Sequence, residues 1–143
     1  MRDLKDTVAW ITGAGTGIGE GAAVAMAREG AKVILTGRRL DPLEQVSKKI
    51  EDAGGFVEIA QGDAMDRPGM MALAKDIQNR YGKLDLLFNN HGINITNRNW
   101  GGGNLEGWDE VIDVNVKGAY NCALAALEVM RPQGEGTIIT TSS

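Results

Sequence analysis

Short apolar runs alternate with longer stretches of helical period along the whole chain. Val8–Thr12 is apolar on both faces, the pattern of a strand buried in a parallel sheet. Ile18 to Glu29 is Ala-rich and reads as a helix ended by Gly30. Lys32–Thr36 is a second strand. Asp41-Pro42-Leu43-Glu44 has the form of a helix start, with Asp41 as cap, and that helix runs to about Ala53 before Gly54-Gly55. Phe56–Gln61 is a third strand, and Asp66-Arg67-Pro68 opens a helix that ends near Tyr81-Gly82. Leu84–Asn89 is a fourth strand, followed by a polar, glycine-rich loop from Gly92 to Asn104. Leu105 to Met130 is helical, with a break expected near Asp113–Asn115. Pro132 to Gly136 reads as a turn before a fifth strand, Thr137–Thr141.

Strands alternating with helices predict right-handed crossovers and a doubly wound, Rossmann-type parallel α/β sheet covered on both faces. Neither a repeat nor an interdomain linker interrupts it, and 143 residues make one domain. Ligands of such sheets bind beyond the carboxyl ends of the strands. Here each of those ends carries polar or glycine residues: Thr12-Gly13, Gly37-Arg38, Asp63, Asn89-Asn90 and Ser142-Ser143.

The first of these ends is the most informative. Thr12-Gly13-Ala14-Gly15-Thr16-Gly17-Ile18-Gly19 joins a strand to a helix. Glycines let the backbone turn tightly and approach a pyrophosphate, and the helix N-terminus supplies N–H donors to the anion. The G-x-G-x-x-G spacing is not met in any register, because Ile18 stands where a third glycine would be needed. The pattern is T-G-x-x-x-G-x-G, with glycine at 13, 17 and 19. A P-loop is excluded, since the turn has no lysine.

An acid at the end of the second strand would bond the ribose hydroxyls of NAD. That place falls at Gly37, and Arg38 and Arg39 follow. A guanidinium suits a 2′-phosphate, so the sequence favours NADP(H), with helix-start arginines facing solvent as the alternative. Asp63 either accepts from an adenine amino group or satisfies N–H groups of its own loop. Asn89-Asn90-His91-Gly92 is either a ligand-facing cluster or a turn that needs Asn and Gly for backbone reasons. His91 is the one histidine, which leaves little basis for a metal cluster or a Ser-His-Asp triad; packing beside a cofactor suits it better than acting as a base. Asn115 interrupts an apolar helical face and requires a partner, a backbone carbonyl at the helix break or a water.

Composition narrows the setting. The 20 glycines, about double the usual share, sit mostly at joints between elements. A net charge of −4 gives no electrostatic case for nucleic acid or an anionic membrane. The lone Cys122 lies in an apolar helical pattern and reads as a small core residue, which excludes a disulfide framework. No signal peptide and no bilayer-long apolar run is evident, so a cytoplasmic location is expected and the sequon Asn94-Ile95-Thr96 is read as coincidental.

Four matches now stand together: Thr12-Gly13-x-x-x-Gly17-x-Gly19, Asn89-Asn90-His91-Gly92, Asn115 in Asp113-Val114-Asn115-Val116, and Ile138-x-x-x-Ser142-Ser143. With these, in this order and spacing, the chain resembles the classical short-chain dehydrogenases/reductases over its whole length. His91 stands where the family's N-N-A-G has alanine. The resemblance implies that Gly13, Thr16, Gly17, Ile18 and Gly19 bind the pyrophosphate and adjacent ribose. Arg38 would select the 2′-phosphate, Asp63 and the backbone of Ala64 would hold adenine, and Asn90 and Gly92 would line the nicotinamide-side ribose. Asn115 and Ser143 would be catalytic, one holding a water in the proton relay and the other bonding the substrate oxygen. The reaction implied is hydride transfer between nicotinamide and a carbonyl or alcohol carbon, in a homodimer or homotetramer.

The family's Y-x-x-x-K is not present. Tyr81 has Asp85 four residues on, and Tyr120 has Leu124. Residues 1–143 are therefore expected to be the cofactor-binding part of such an enzyme, ending at its catalytic serine, inactive alone and with an open fifth-strand edge. A non-catalytic NADP(H)-binding module is the alternative. An epimerase on a related fold is disfavoured by the glycine spacing.

Overall fold

A computed structural model of the chain describes residues 4–96 and 104–142. Five parallel strands lie in the order β3-β2-β1-β4-β5. They are β1 (Val8–Thr12), β2 (Lys32–Thr36), β3 (Phe56–Ile59), β4 (Leu86–Asn89) and β5 (Thr137–Thr140). The helices are α1 (Gly17–Arg28), α2 (Leu40–Asp52), α3 (Arg67–Tyr81), α4 (Leu105–Ile112) and α5 (Gly118–Gln133), with a π-helical turn, Asp113–Lys117, between the last two.

The central strand shows why the sheet is wound on both sides. All five residues of β1 are buried. Val8 and Trp10 point to one layer, packing with Met70, Ala74 and Ile77 of α3 and Cys122, Ala125 and Val129 of α5. Ala9 and Ile11 point to the other, with Ala23 and Ala27 of α1 and Leu43, Val46 and Ile50 of α2. The alternation of a strand thus feeds two cores, and neither face can be polar. Trp10 is fully buried, and its indole N–H is matched by Thr36 Oγ1 at 2.9 Å. Burial pushes the Cys122 thiol up to about 12, so it stays protonated and inert in the core.

Element ends differ from the sequence expectations in a few places. The extended backbone at Arg39 (φ −98°, ψ 124°) caps α2, so Asp41 lies inside the first turn and is not the cap. Pro42 causes no loss there, because the first N–H groups of a helix have no intrahelical partner. Pro132 belongs to the last turn of α5, not to the following turn; the helix stops at Gly134, in the left-handed region at φ 80°. Gln133 then reaches across to the segment just before β4, donating to Leu84 O at 2.7 Å and accepting from Leu84 N–H at 3.3 Å. Asp85, expected in the fourth strand, instead uses its carboxylate to accept the Val8 N–H at 2.8 Å. The break near Asp113–Asn115 is the π-turn. β5 pairs with β4 alone, and its Ile139 is exposed.

Candidate active site

The strand order reverses between β1 and β4, whose flanking connections leave in opposite directions. An open sheet forms a ligand crevice at such a point, beyond the carboxyl ends of its strands. A cleft of about 230 Å³ lies there, lined by Thr12, Gly13, Gly15, Thr16, Thr36, Gly37, Arg38, Arg39, Asp63, Ala64, Asn90, His91, Gly92 and Val114, among others. Residues expected at four strand ends from sequence alone therefore share one wall.

The β1–α1 turn is built on glycine for two reasons. Gly13 and Gly17 have φ +61° and +59°, where a side chain is strained. Gly19 has no space: a Cβ would fall 2.1 Å from Gly13 O. A Cβ on Gly17 would meet nothing within 4 Å. The start of α1 is thus a helix N-terminus capped by Thr16 with no side-chain hydrogen bond, and with Ile18 exposed beside it. Its first N–H groups suit an anion. A glycine turn, an open helix N-terminus and guanidinium side chains on one cleft fit a dinucleotide phosphate.

The next two strand ends are tied together. Gln61 Nε2 donates to Arg38 O at 2.8 Å, and Gly62 N–H to Gly37 O at 3.1 Å. Asp63 accepts from Met65 N–H at 2.9 Å, so it does satisfy its own loop while lining the cleft. The Ala64 carbonyl turns to α5, where buried Asn121 donates to it at 2.9 Å. Asn121 Oδ1 in turn accepts from Arg67 Nε at 2.8 Å, and the Arg67 guanidinium lies 5.9 Å from the Tyr120 ring. Asn121 is a positioning residue that sequence reasoning missed. The signal for it was the one used for Asn115, a polar residue inside an apolar helical run.

The β4 end is the most densely bonded. Thr12 Oγ1 accepts from the N–H groups of Asn90 and His91 at 3.0 and 3.2 Å. Asn90 donates to Gly13 O at 3.3 Å and accepts from Thr141 Oγ1 at 2.9 Å. Asn89 donates to Ala119 O at 2.8 Å. Gly92 lies against Asn115, where a Cβ would come 3.3 Å from Oδ1. The partner of Asn115 is the backbone of Ile93, not the helix break: Oδ1 accepts its N–H at 2.8 Å and Nδ2 donates to its carbonyl at 3.0 Å. Ser143 lies outside the described residues.

His91 places Nδ1 2.9 Å from Thr12 Oγ1 and Nε2 3.2 Å from Val114 O. A carbonyl can only accept, so Nε2 carries the proton and Nδ1 accepts the Thr12 hydroxyl. Burial moves the imidazole pKa below its ordinary 6.5, while the Val114 carbonyl and Asp63 oppose that shift and Arg38 adds to it. The folded state thus binds fewer protons at this ring than the unfolded chain. Stability should fall as pH drops below about 6.5, through the window between the unfolded and the lower folded pKa. Urea midpoints at pH 7.5 and 5.5 would measure this, and His91→Gln should flatten the slope; an unchanged slope would exclude His91 as its source.

Among the described residues, no group of three or more His, Cys, Asp or Glu is placed to hold a metal ion. No described helix is long and apolar enough to cross a membrane. Tyr81 is not among the cleft-lining residues; it packs edge-on against Phe56, with ring centroids 5.9 Å apart.

The chain is similar in sequence and in fold to known proteins. The chain is 37% identical over 140 residues to an uncharacterized oxidoreductase of Listeria innocua, covering 98% of this chain and 56% of that protein. It is 36% identical over 143 residues to one of Staphylococcus aureus, covering 100% and 61%. The chain thus spans only 56% and 61% of the length of these curated relatives. A short-chain type dehydrogenase/reductase from Mycobacterium marinum superposes with a TM-score of 0.92 at 34% identity, covering 99% of this chain and 57% of that one. A metagenomic short-chain oxidoreductase solved in complex with NADP superposes with a TM-score of 0.91 at 32% identity, covering 99% and 64%. The family model for short chain dehydrogenases matches residues 7–143, so together with the sheet order and the glycine turn it makes this chain a member of the short-chain dehydrogenase family.

Proposed function

We propose that the chain is the cofactor-binding part of an NADP(H)-dependent oxidoreductase that moves a hydride between nicotinamide and a carbonyl or alcohol carbon of a small molecule. The observation that carries this reading is the single cleft that joins Gly13, Gly15 and Thr16 of the glycine turn with Arg38, Asp63 and the Asn90–Gly92 loop. Gly13, Thr16, Gly17, Ile18 and Gly19 bind the pyrophosphate and adjacent ribose, using the N–H groups at the start of α1. Arg38 pairs with the 2′-phosphate at the end of β2, where no acid competes for it. Asp63 and the Ala64 backbone hold adenine, and Asn90 and Gly92 line the second ribose. Asn115 holds a water in the proton relay, and Ser143 bonds the substrate oxygen.

The full-length enzyme is a homodimer or homotetramer. In support, Ile112, Val116 and Tyr120 form a stripe along the α4–α5 region, each more than half exposed. Residues 1–143 alone are inactive in this reading, because they hold no Y-x-x-x-K to supply the family's acid–base tyrosine. A non-catalytic NADP(H)-binding module is the second reading.

Titration with NADPH and NADH tests the cofactor assignment. NADPH should bind more tightly, and Arg38→Ala should weaken NADPH by roughly 10- to 100-fold, the size of a lost charge-assisted contact, with little effect on NADH. Equal affinity of the unaltered chain for the two cofactors would overturn the NADP(H) assignment. Turnover with a carbonyl substrate by the full-length protein would decide between enzyme and binding module.

A further inference from the structure

We propose that His91 is a positioning residue: its neutral ring is a strut between the end of β1 and the π-turn that fixes Asn115 and the nicotinamide-side wall of the cleft. This rests on the nicotinamide reading of that wall. The strut is visible as two bonds from one ring, Nδ1 to Thr12 Oγ1 at 2.9 Å and Nε2 to Val114 O at 3.2 Å. Its ends lie on elements 102 residues apart in the chain, and the half-buried ring spans them with both nitrogens engaged.

The surroundings are shaped to this ring. Gly118 begins α5, and a Cβ there would fall 2.6 Å from His91 Nε2 and 3.2 Å from Ala64 Cβ. A side chain at 118 would therefore expel the imidazole. The π-turn matters for the same reason. In a regular α-helix the Gly118 N–H would bond the Val114 carbonyl. Here it is directed to Asp113 O, and the imidazole N–H is bonded to the Val114 carbonyl. π-turns of this kind collect at functional sites.

Two residues on, the same turn grips the same loop again, through the paired bonds of Asn115 to Ile93. The segment 91–93 is thus held to the π-turn on both sides of Gly92. Gly92 is where the backbone comes nearest a bound ligand in this reading. An alanine in place of His91 offers neither bond, so the loop and the π-turn would be joined by Asn115 alone.

His91 is the one histidine, so uniform ¹⁵N labelling gives one imidazole to observe. In the unaltered protein, the ring should show the fixed Nε2–H tautomer, and the Asn115 side-chain amide and Ile93 N–H should exchange slowly. His91→Ala should speed that exchange. It should also weaken NADPH on the order of tenfold while changing 2′-phospho-ADP-ribose, which lacks nicotinamide, by less than about twofold. His91→Gln keeps an N–H donor and should recover most of both. A loss of affinity shared equally by the two ligands, or none for either, would overturn the strut, as would an Nδ1–H or averaging tautomer. If NADPH failed to bind the unaltered protein, the nicotinamide reading would fall instead, and the tautomer with the exchange rates would still decide the strut.

Discussion

Gly19→Ala is expected to remove cofactor binding and to cost the fold more than about 2 kcal/mol, at the upper end of what overpacking costs. The added Cβ would lie 2.1 Å from Gly13 O, 2.8 Å from Gly13 C and 2.7 Å from Asn90 Nδ2. Backbone makes up most of that contact, and it has nowhere to retreat. Gly13 is itself wedged, with its own Cβ position 2.8 Å from His91 Cα. The Asn90 amide is engaged with Gly13 O at 3.3 Å. To admit one methyl, α1 must move away from the β1 turn, which is also the anion-binding end of the cleft. Neighbouring glycines supply the scale. Gly17→Ala meets no atom within 4 Å but must hold φ +59°, so a cost of about 1–2 kcal/mol from backbone strain alone is expected. Gly21→Ala meets nothing and carries no positive φ; within α1 it should stabilise by up to about 1 kcal/mol. Chemical denaturation of the three variants with NADPH titration checks the order. Gly19→Ala with native stability and affinity would sink the account.

The frame of the fold was legible because burial leaves a periodic trace. Val8–Thr12 and Lys32–Thr36 are central strands, buried on both faces, and their limits in the structure are those read from the apolar runs. The helix start at Asp66-Arg67-Pro68 was legible too, since its chemistry is local: the Asp66 carboxylate accepts Gly69 N–H at 3.1 Å. Edges were read less well. Phe56–Gln61 and Leu84–Asn89 were expected longer than β3 and β4; β3 stops two residues earlier and β4 starts two residues later, although Ala60 N–H still donates to Leu35 O and Asp85 N–H to Val8 O. Arg39 caps α2 by backbone alone, so Asp41 carried a stronger signal than the residue that does the capping. In the site, the residue types at each strand end were readable, and their bonds were not. Asn121 to Ala64, His91 to Val114 and Asn115 to Ile93 join residues 57, 23 and 22 positions apart. Which carbonyl lies opposite such a side chain is fixed only when helices dock on the sheet. The sequence announces that a buried polar group needs a partner, and tertiary packing chooses it.

The choice made at Thr12 yields the second large effect. Thr12→Val keeps the shape of the side chain and its place in β1, where it is 1% exposed. What it removes is a hydroxyl with three jobs. The oxygen accepts from Asn90 N–H at 3.0 Å and His91 N–H at 3.2 Å, and the proton goes to His91 Nδ1 at 2.9 Å. Valine leaves two backbone N–H groups and a ring nitrogen facing methyl groups. An unsatisfied buried polar group costs about 1–3 kcal/mol, so a total near 3 kcal/mol is expected. Part of it would be recovered if the loop opened to water, and that opening would move Asn90 and Gly92 out of the cleft wall. Loss of stability and loss of NADPH affinity should therefore appear together in Thr12→Val. Thr12→Ser keeps the hydroxyl and gives up one methyl, for about 1 kcal/mol by the scale of a single buried carbon. A valine variant no less stable than the serine variant would mean that the β4 loop is held by packing, not by this hydroxyl.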